Sequence, residues 1–109
     1  MNILLVDDHA ETCETLARFL TRLGYSVQVN SSGEEALQEY CKEDFPLVLS
    51  DIRMPGLSGI ELLQAIKRLP SGENTDVVLM TGHGWLDTAI QAMRSGAYDY
   101  LVKPINIEE

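Results

Sequence analysis

Basic residues are scarce in this 109-residue chain: eight lysines and arginines stand against 17 acidic residues, a formal net charge of −9. A domain that grips nucleic acid needs a basic face to release counterions, so this balance argues against direct nucleic-acid binding. It favours cations or basic partners, with most of the acidic side chains read as a solvated surface. Cysteine is also rare. Cys13 and Cys41 show neither metal-ligand spacing nor a disulfide framework. Each falls among apolar residues at helical spacing, so both are expected to be small buried hydrophobes in a reducing compartment. Long apolar runs are missing, none approaching the ~20 residues that span a bilayer. The start, Met1-Asn2-Ile3-Leu4-Leu5-Val6-Asp7-Asp8, lacks a basic stretch and meets carboxylates too early for a signal peptide. The expectation is a cytoplasmic protein without membrane contact. What is present, 45% hydrophobic residues with 6% aromatics, is an ordinary globular composition of a length suited to one core.

Five strands are predicted: Ile3-Val6, Ser26-Val29, Leu47-Leu49, Val77-Met80 and Tyr100-Val102. Four are continuous apolar runs, as expected of strands covered on both faces. The second alternates Val27 and Val29 with polar residues and suits an edge. Four helical patterns lie between them. The first carries Cys13, Leu16, Ala17, Leu20 and Leu23, with Gly24 as a left-handed stop. The second opens on Ser32 with Glu35 three residues later, a capping box, and presents Ala36, Leu37, Tyr40 and Cys41. Ser58 and Glu61 repeat the device before Leu62, Leu63, Ile66 and Leu69. The fourth sets Leu86, Ala89, Ile90 and Met93 on one face and stops at Gly96. Strict alternation of strand and helix implies a flavodoxin-like, doubly wound α/β fold whose parallel sheet has the order 2-1-3-4-5. Ligands in such sheets sit at the carboxyl ends of the strands.

Those ends carry an unusual set. Asp7-Asp8 close the first strand, Asp51 the third, Thr81-Gly82 the fourth and Lys103-Pro104 the fifth. A single Asp at a strand end is most often a turn or cap residue. Three carboxylates, a hydroxyl and an ammonium on one rim are a different matter, because like charges this close need a cation. Mg²⁺ fits best, since it takes a few carboxylates and keeps waters for a phosphate to displace, and Mn²⁺ is a possible substitute. Zinc would call for His or Cys at the rim.

Asp7-Asp8 after an apolar strand, Asp51-Ile52-Arg53-Met54-Pro55-Gly56-Leu57-Ser58-Gly59, Thr81-Gly82-His83-Gly84 and Lys103-Pro104, in this order, resemble the receiver domains of two-component response regulators. The resemblance implies one receiver domain over residues 1–109, the N-terminal module of a longer protein. It implies Asp51 as phosphoacceptor and Asp7, Asp8 and the Arg53 carbonyl as Mg²⁺ ligands beside Asp51. Thr81 and Lys103 would hold phosphoryl oxygens and Tyr100 would be the aromatic switch. A cis Lys103-Pro104 bond and a fifth helix, begun at Asn106 and truncated, would complete the pattern. The segments Val78–Gly84 and Ala89–Pro104 are similar to receivers of sigma-54-dependent transcriptional activators.

The chemistry also follows from the residues. Phosphoryl transfer needs positioning and charge neutralisation more than covalent help, and Gly82 N–H adds a donor where no Cβ blocks approach. The expected partners are a sensor histidine kinase and the parent protein's output domains. Self-association is expected through the fourth-helix and fifth-strand region, or through the face a missing fifth helix would leave. A hybrid-kinase receiver is the near alternative. A Mg²⁺-dependent phosphohydrolase is the distant one, because Arg53 stands where such enzymes place a second Asp. The chain is therefore expected to assist its own phosphorylation rather than turn over external substrate.

Overall fold

Five parallel strands build the sheet: β1 (Asn2–Val6), β2 (Ser26–Asn30), β3 (Leu47–Asp51), β4 (Asp76–Thr81) and β5 (Asp99–Val102), in the order β2-β1-β3-β4-β5. The computed structural model describes residues 1–82 and 86–103. Alternation within each strand sorts side chains to two cores. Leu4, Val6, Val48, Val77 and Leu79 face one side with Leu62, Leu63 and Ile66, while Ile3, Leu5, Leu49, Val78 and Met80 face the other with Cys13 and Leu16. Both faces of the three central strands are thus covered, which explains their unbroken apolar runs. The polar β2 is an edge, as its alternation predicts, and Val29 is exposed.

The helices between the strands are α1 (Ala10–Arg22), α2 (Gly33–Tyr40), α3 (Gly59–Arg68) and α4 (Leu86–Arg94). At the start of α3 both arms of the capping box form, Ser58 Oγ accepting from Glu61 N–H and Glu61 Oε1 accepting from Ser58 N–H. At α2 only Ser32 Oγ accepts, from Glu35 N–H at 3.2 Å. Gly24 and Gly96 have φ of 101° and 106°, the left-handed stops the pattern requires.

Four expectations change on folding. Leu23, Ile90 and Met93 are exposed, and among the described side chains of α4 it is Ala92 that is buried. Periodicity names a helix face but not how far the neighbouring layer extends over it. Cys41 is exposed because it caps the end of α2, one residue past its last turn. In the edge strand β5, Leu101 is 38% exposed, so its apolar run does not mark two covered faces. Finally, a short 3-10 helix, Pro70–Asn74, follows α3. Pro70 forbids helical continuation. The new turn is pinned by Lys67 Nζ donating to the carbonyls of Gly72 (2.9 Å) and Thr75 (2.7 Å), and by Tyr40 Oη within 2.7 Å of Thr75 Oγ1. The expected fifth helix and the expected cis Lys103-Pro104 bond fall outside the described residues.

The two thiols should be chemically distinct. Cys13 donates to the Asp7 carbonyl at 3.3 Å, and burial, reinforced by the Asp7 charge, pushes its thiol up to about 11. A small maleimide at neutral pH is expected to label Cys41 in the native protein and Cys13 only after denaturation. Equal native rates, followed by mass spectrometry, would contradict this burial.

Candidate functional site at the carboxyl rim of the sheet

Parallel register decides which side chains meet. Val6 pairs with Ser50, Asp51 with Met80 and Thr81 with Val102. The residues at or just beyond these positions therefore share one rim. Backbone bonds continue the ladder there: Asp7 N–H donates to Asn30 O at 3.2 Å, Ile52 N–H to Met80 O at 3.0 Å and Lys103 N–H to Thr81 O at 2.7 Å.

Within it, Lys103 Nζ lies 2.9 Å from Asp7 Oδ2 and 3.3 Å from Asp51 Oδ2. Asp7 is buried, and its Oδ1 accepts from His9 N–H at 3.0 Å. Asp8, by contrast, keeps an exposed carboxylate. Burial alone would raise the Asp7 pKa, but the His9 backbone bond and the Lys103 ammonium outweigh it and hold that carboxyl below its ordinary value. For Asp51 the sum has the opposite sign. Burial and then the Asp7 charge raise its pKa, and Lys103 only partly compensates. Lys103 itself is raised, since its bonds to Asp7 and the Asp51 charge overcome the effect of burial.

Thr81 is buried, and its hydroxyl donates to the Gly82 carbonyl at 3.1 Å. Asp8, Asp51, Arg53, Thr81, Gly82 and Lys103 all line one open cleft of about 770 Å³. The structure thus brings Asp8, Asp51, Thr81, Gly82 and Lys103 together, with Asp7 joined to them through Lys103, while Pro104 lies outside the described residues. Tyr100 stands apart from the cleft, partly buried on the core shared by α2 and α3.

One rim residue has no counterpart in the sequence reading. His9 Nδ1 is 3.2 Å from Asp7 Oδ1, 3.3 Å from Asp8 Oδ1 and 3.9 Å from Asp51 Oδ2. Its only sequence signal is adjacency to the acidic pair, and it places at the rim the imidazole that seemed to be missing. Thr88, from α4, also lines the cleft.

Donor atoms of Asp7, Asp8, His9 and Asp51 lie within 4.8 Å of one another. Three carboxylates against one ammonium leave two negative charges, which suits a divalent cation. Three carboxylate donors favour a hard, oxygen-preferring ion such as Mg²⁺, and one imidazole does not make a structural zinc site.

A partly buried acidic cluster at the carboxyl rim of a β2-β1-β3-β4-β5 sheet defines a class, and sequence comparison agrees. The profile of the response regulator receiver domain matches residues 3–109, and the chain belongs to that family. It is 39% identical over 109 residues to the transcriptional regulatory protein ZraR of Klebsiella oxytoca, all of this chain but 24% of that protein. It is 34% identical to the transcriptional regulatory protein HprR of Escherichia coli, over 100% of this chain and 48% of HprR. The chain thus spans about a quarter to a half of the length of these relatives. A receiver domain protein from Clostridium thermocellum superposes with a TM-score of 0.91 at 35% identity, covering 98% of this chain and 85% of that one. The receiver domain of NtrX from Brucella abortus gives 0.90 at 33%, covering 97% and 88%.

The electrostatics of Asp51 have a measurable consequence. A carboxyl whose folded pKa exceeds its unfolded value loses stability as pH rises between the two, and the loss is complete above the folded value. Asp51→Asn removes that penalty, although it also weakens the 3.3 Å contact with Lys103. Without divalent metal at pH 7, the variant is expected to be more stable by about 0.5–2 kcal/mol. The gain should vanish as pH falls below the carboxylate range and shrink with Mg²⁺. Urea melts across pH check this, and a destabilised variant at pH 7 without metal would refute it.

Proposed function

We propose that this receiver domain is a phosphorylation switch, with Asp51 accepting a phosphoryl group from a phosphohistidine of a sensor histidine kinase. The observation that carries the reading is the position of Asp51: buried at the end of the central strand, short of positive charge, and open to the cleft beside Lys103. Mg²⁺ held by Asp7, Asp8, Asp51 and the Arg53 carbonyl would supply charge neutralisation at the phosphoryl oxygens.

The protein's own groups do the rest. An Asp51 oxygen attacks phosphorus in line, so the new P–O bond forms as the P–N bond to the donor imidazole breaks. Lys103, already 3.3 Å from Asp51, pairs with a phosphoryl oxygen. Gly82 N–H donates to another. The Thr81 hydroxyl turns from its Gly82 carbonyl to the phosphoryl group, leaving room for Tyr100 to move inward. The response then reaches α4, β5 and the connection between them, where Ile90, Met93, Leu101 and Tyr98 are exposed. This apolar face would serve attached output domains or self-association. Trp85 and His83 lie outside the described residues. The names of the relatives support a role in transcription regulation, and the sequence resemblance favours a sigma-54-dependent activator over a hybrid kinase. Among the described residues no helix is long and apolar enough to cross a membrane, and a cytoplasmic setting fits the proposed kinase partner.

Incubation with acetyl phosphate and Mg²⁺ should add one phosphate to the intact mass of the wild type and none to Asp51→Asn. Undiminished labelling of that variant would overturn the assignment of Asp51. Sustained hydrolysis of phosphomonoesters would instead favour the phosphohydrolase.

Asp7 and Asp8 should differ in their effect on the metal. Both Asp7 oxygens are engaged by His9 or Lys103, which suits a ligand acting partly through water, while Asp8 is exposed to the cleft. Asp8→Ala is expected to weaken Mg²⁺ binding more than Asp7→Ala, by about 1.5–3 kcal/mol against wild type. Titration calorimetry gives the order, and an unchanged affinity in Asp8→Ala would refute it.

A further inference from the structure

The loop from Ile52 to Ser58, between β3 and α3, carries the Arg53 carbonyl and lines the cleft through Arg53 and Met54. Its base is closed by backbone bonds, Ile52 N–H to Met80 O at 3.0 Å and Gly59 N–H to Ile52 O at 2.9 Å. Its far side is held from another element. Glu34, in the first turn of α2, accepts the Leu57 N–H on Oε2 at 2.9 Å, across 23 residues of sequence.

Two glycines make this approach possible. Gly56 has φ of 77°, a conformation L side chains rarely adopt, and a Cβ there would run into the Glu34 carboxylate. At Gly33 a Cβ would lie 2.6 Å from the Leu57 carbonyl oxygen. Helix and loop therefore touch backbone to backbone, with the Glu34 carboxylate closing over the turn. Glu34 takes no part in the Ser32 cap, whose partner is the Glu35 N–H.

The geometry points to Glu34 as a positioning residue for the metal site: it fixes the Pro55-Gly56-Leu57 turn and thereby the Arg53 carbonyl, four residues before the bonded Leu57. This rests on the proposed role of that carbonyl as a Mg²⁺ ligand. A hydrogen bond, not negative charge at a distance, is what Glu34 contributes. Gln keeps an acceptor without the charge, and Ala keeps neither.

The test compares wild type, Glu34→Gln and Glu34→Ala by Mg²⁺ titration calorimetry and by amide exchange at Leu57. Glu34 is exposed, so all three should fold, and thermal melts verify this. Glu34→Ala is expected to weaken Mg²⁺ binding roughly 3- to 10-fold, the part of one charge-assisted hydrogen bond that reaches the site. Leu57 exchange should accelerate in the same variant. Glu34→Gln should restore slow exchange and most of the affinity. If Glu34→Gln loses as much affinity as Glu34→Ala while Leu57 stays protected, Glu34 acts only through its charge and the positioning role falls. Faster Leu57 exchange with unchanged affinity in Glu34→Ala would equally overturn it, leaving the Mg²⁺ site intact. Failure of the wild type itself to bind Mg²⁺ would remove the reading of the site, and this inference with it.

Discussion

Three carboxylates share one rim with a single ammonium, and the rest of the architecture is arranged around that imbalance. A parallel sheet forces it, because every strand delivers its carboxyl end to the same side. Lys103 reaches two of the three acids and neutralises the buried Asp7 better than it does Asp51. The outcome is a division of labour among like residues. Asp7 is a fixed anion locked by its bonds, Asp8 is open to the cleft, and Asp51 is a buried carboxylate short of positive charge. An added cation would relieve this repulsion.

Such a site must rest on something that does not yield. The three central strands provide it, with β1, β3 and β4 covered on both faces and continued past their last residues by backbone hydrogen bonds. The opposite property is found at α4 and β5. There Ile90, Met93 and Leu101 remain exposed, and among the described residues α4 buries Ala92 as its fully enclosed apolar side chain. Elements with little buried area shift at low cost. If Asp51 is phosphorylated as proposed, the change of charge would be more readily expressed on that side than in the centre. Tyr100 lies at the boundary, in contact with the core but on the edge strand.

The loop after β3 shows how contacts distant in sequence complete the site. Its base belongs to the sheet, while its tip belongs to α2 through Glu34 and to α3 through the Ser58–Glu61 box. The same local signature, Ser followed three residues later by Glu, yields two outcomes. Ser58 forms a closed box, whereas beside Ser32 it is Glu34, not Glu35, whose carboxylate finds a distant partner.

Local physics made much of this legible from the residues alone. Unbroken apolar runs identify strands buried on both faces, and the polar alternation of β2 places it at an edge. Alternation of strands and helices, with right-handed crossovers, then leaves a short choice of windings. Once the sheet is parallel, strand-terminal Asp7, Asp8, Asp51, Thr81 and Lys103 must meet. Tertiary structure decided what depends on distance between segments far apart in the chain. The exposure of Cys41, Ile90 and Met93 depends on how far neighbouring layers extend. His9 reaches the carboxylates because of how α1 begins, and Glu34 reaches Leu57 because two glycines let backbones touch. The contrasting pKa shifts of Asp7 and Asp51 arise from the position of one ammonium between them. A sequence names the charges on the rim, but their balance is a matter of ångströms.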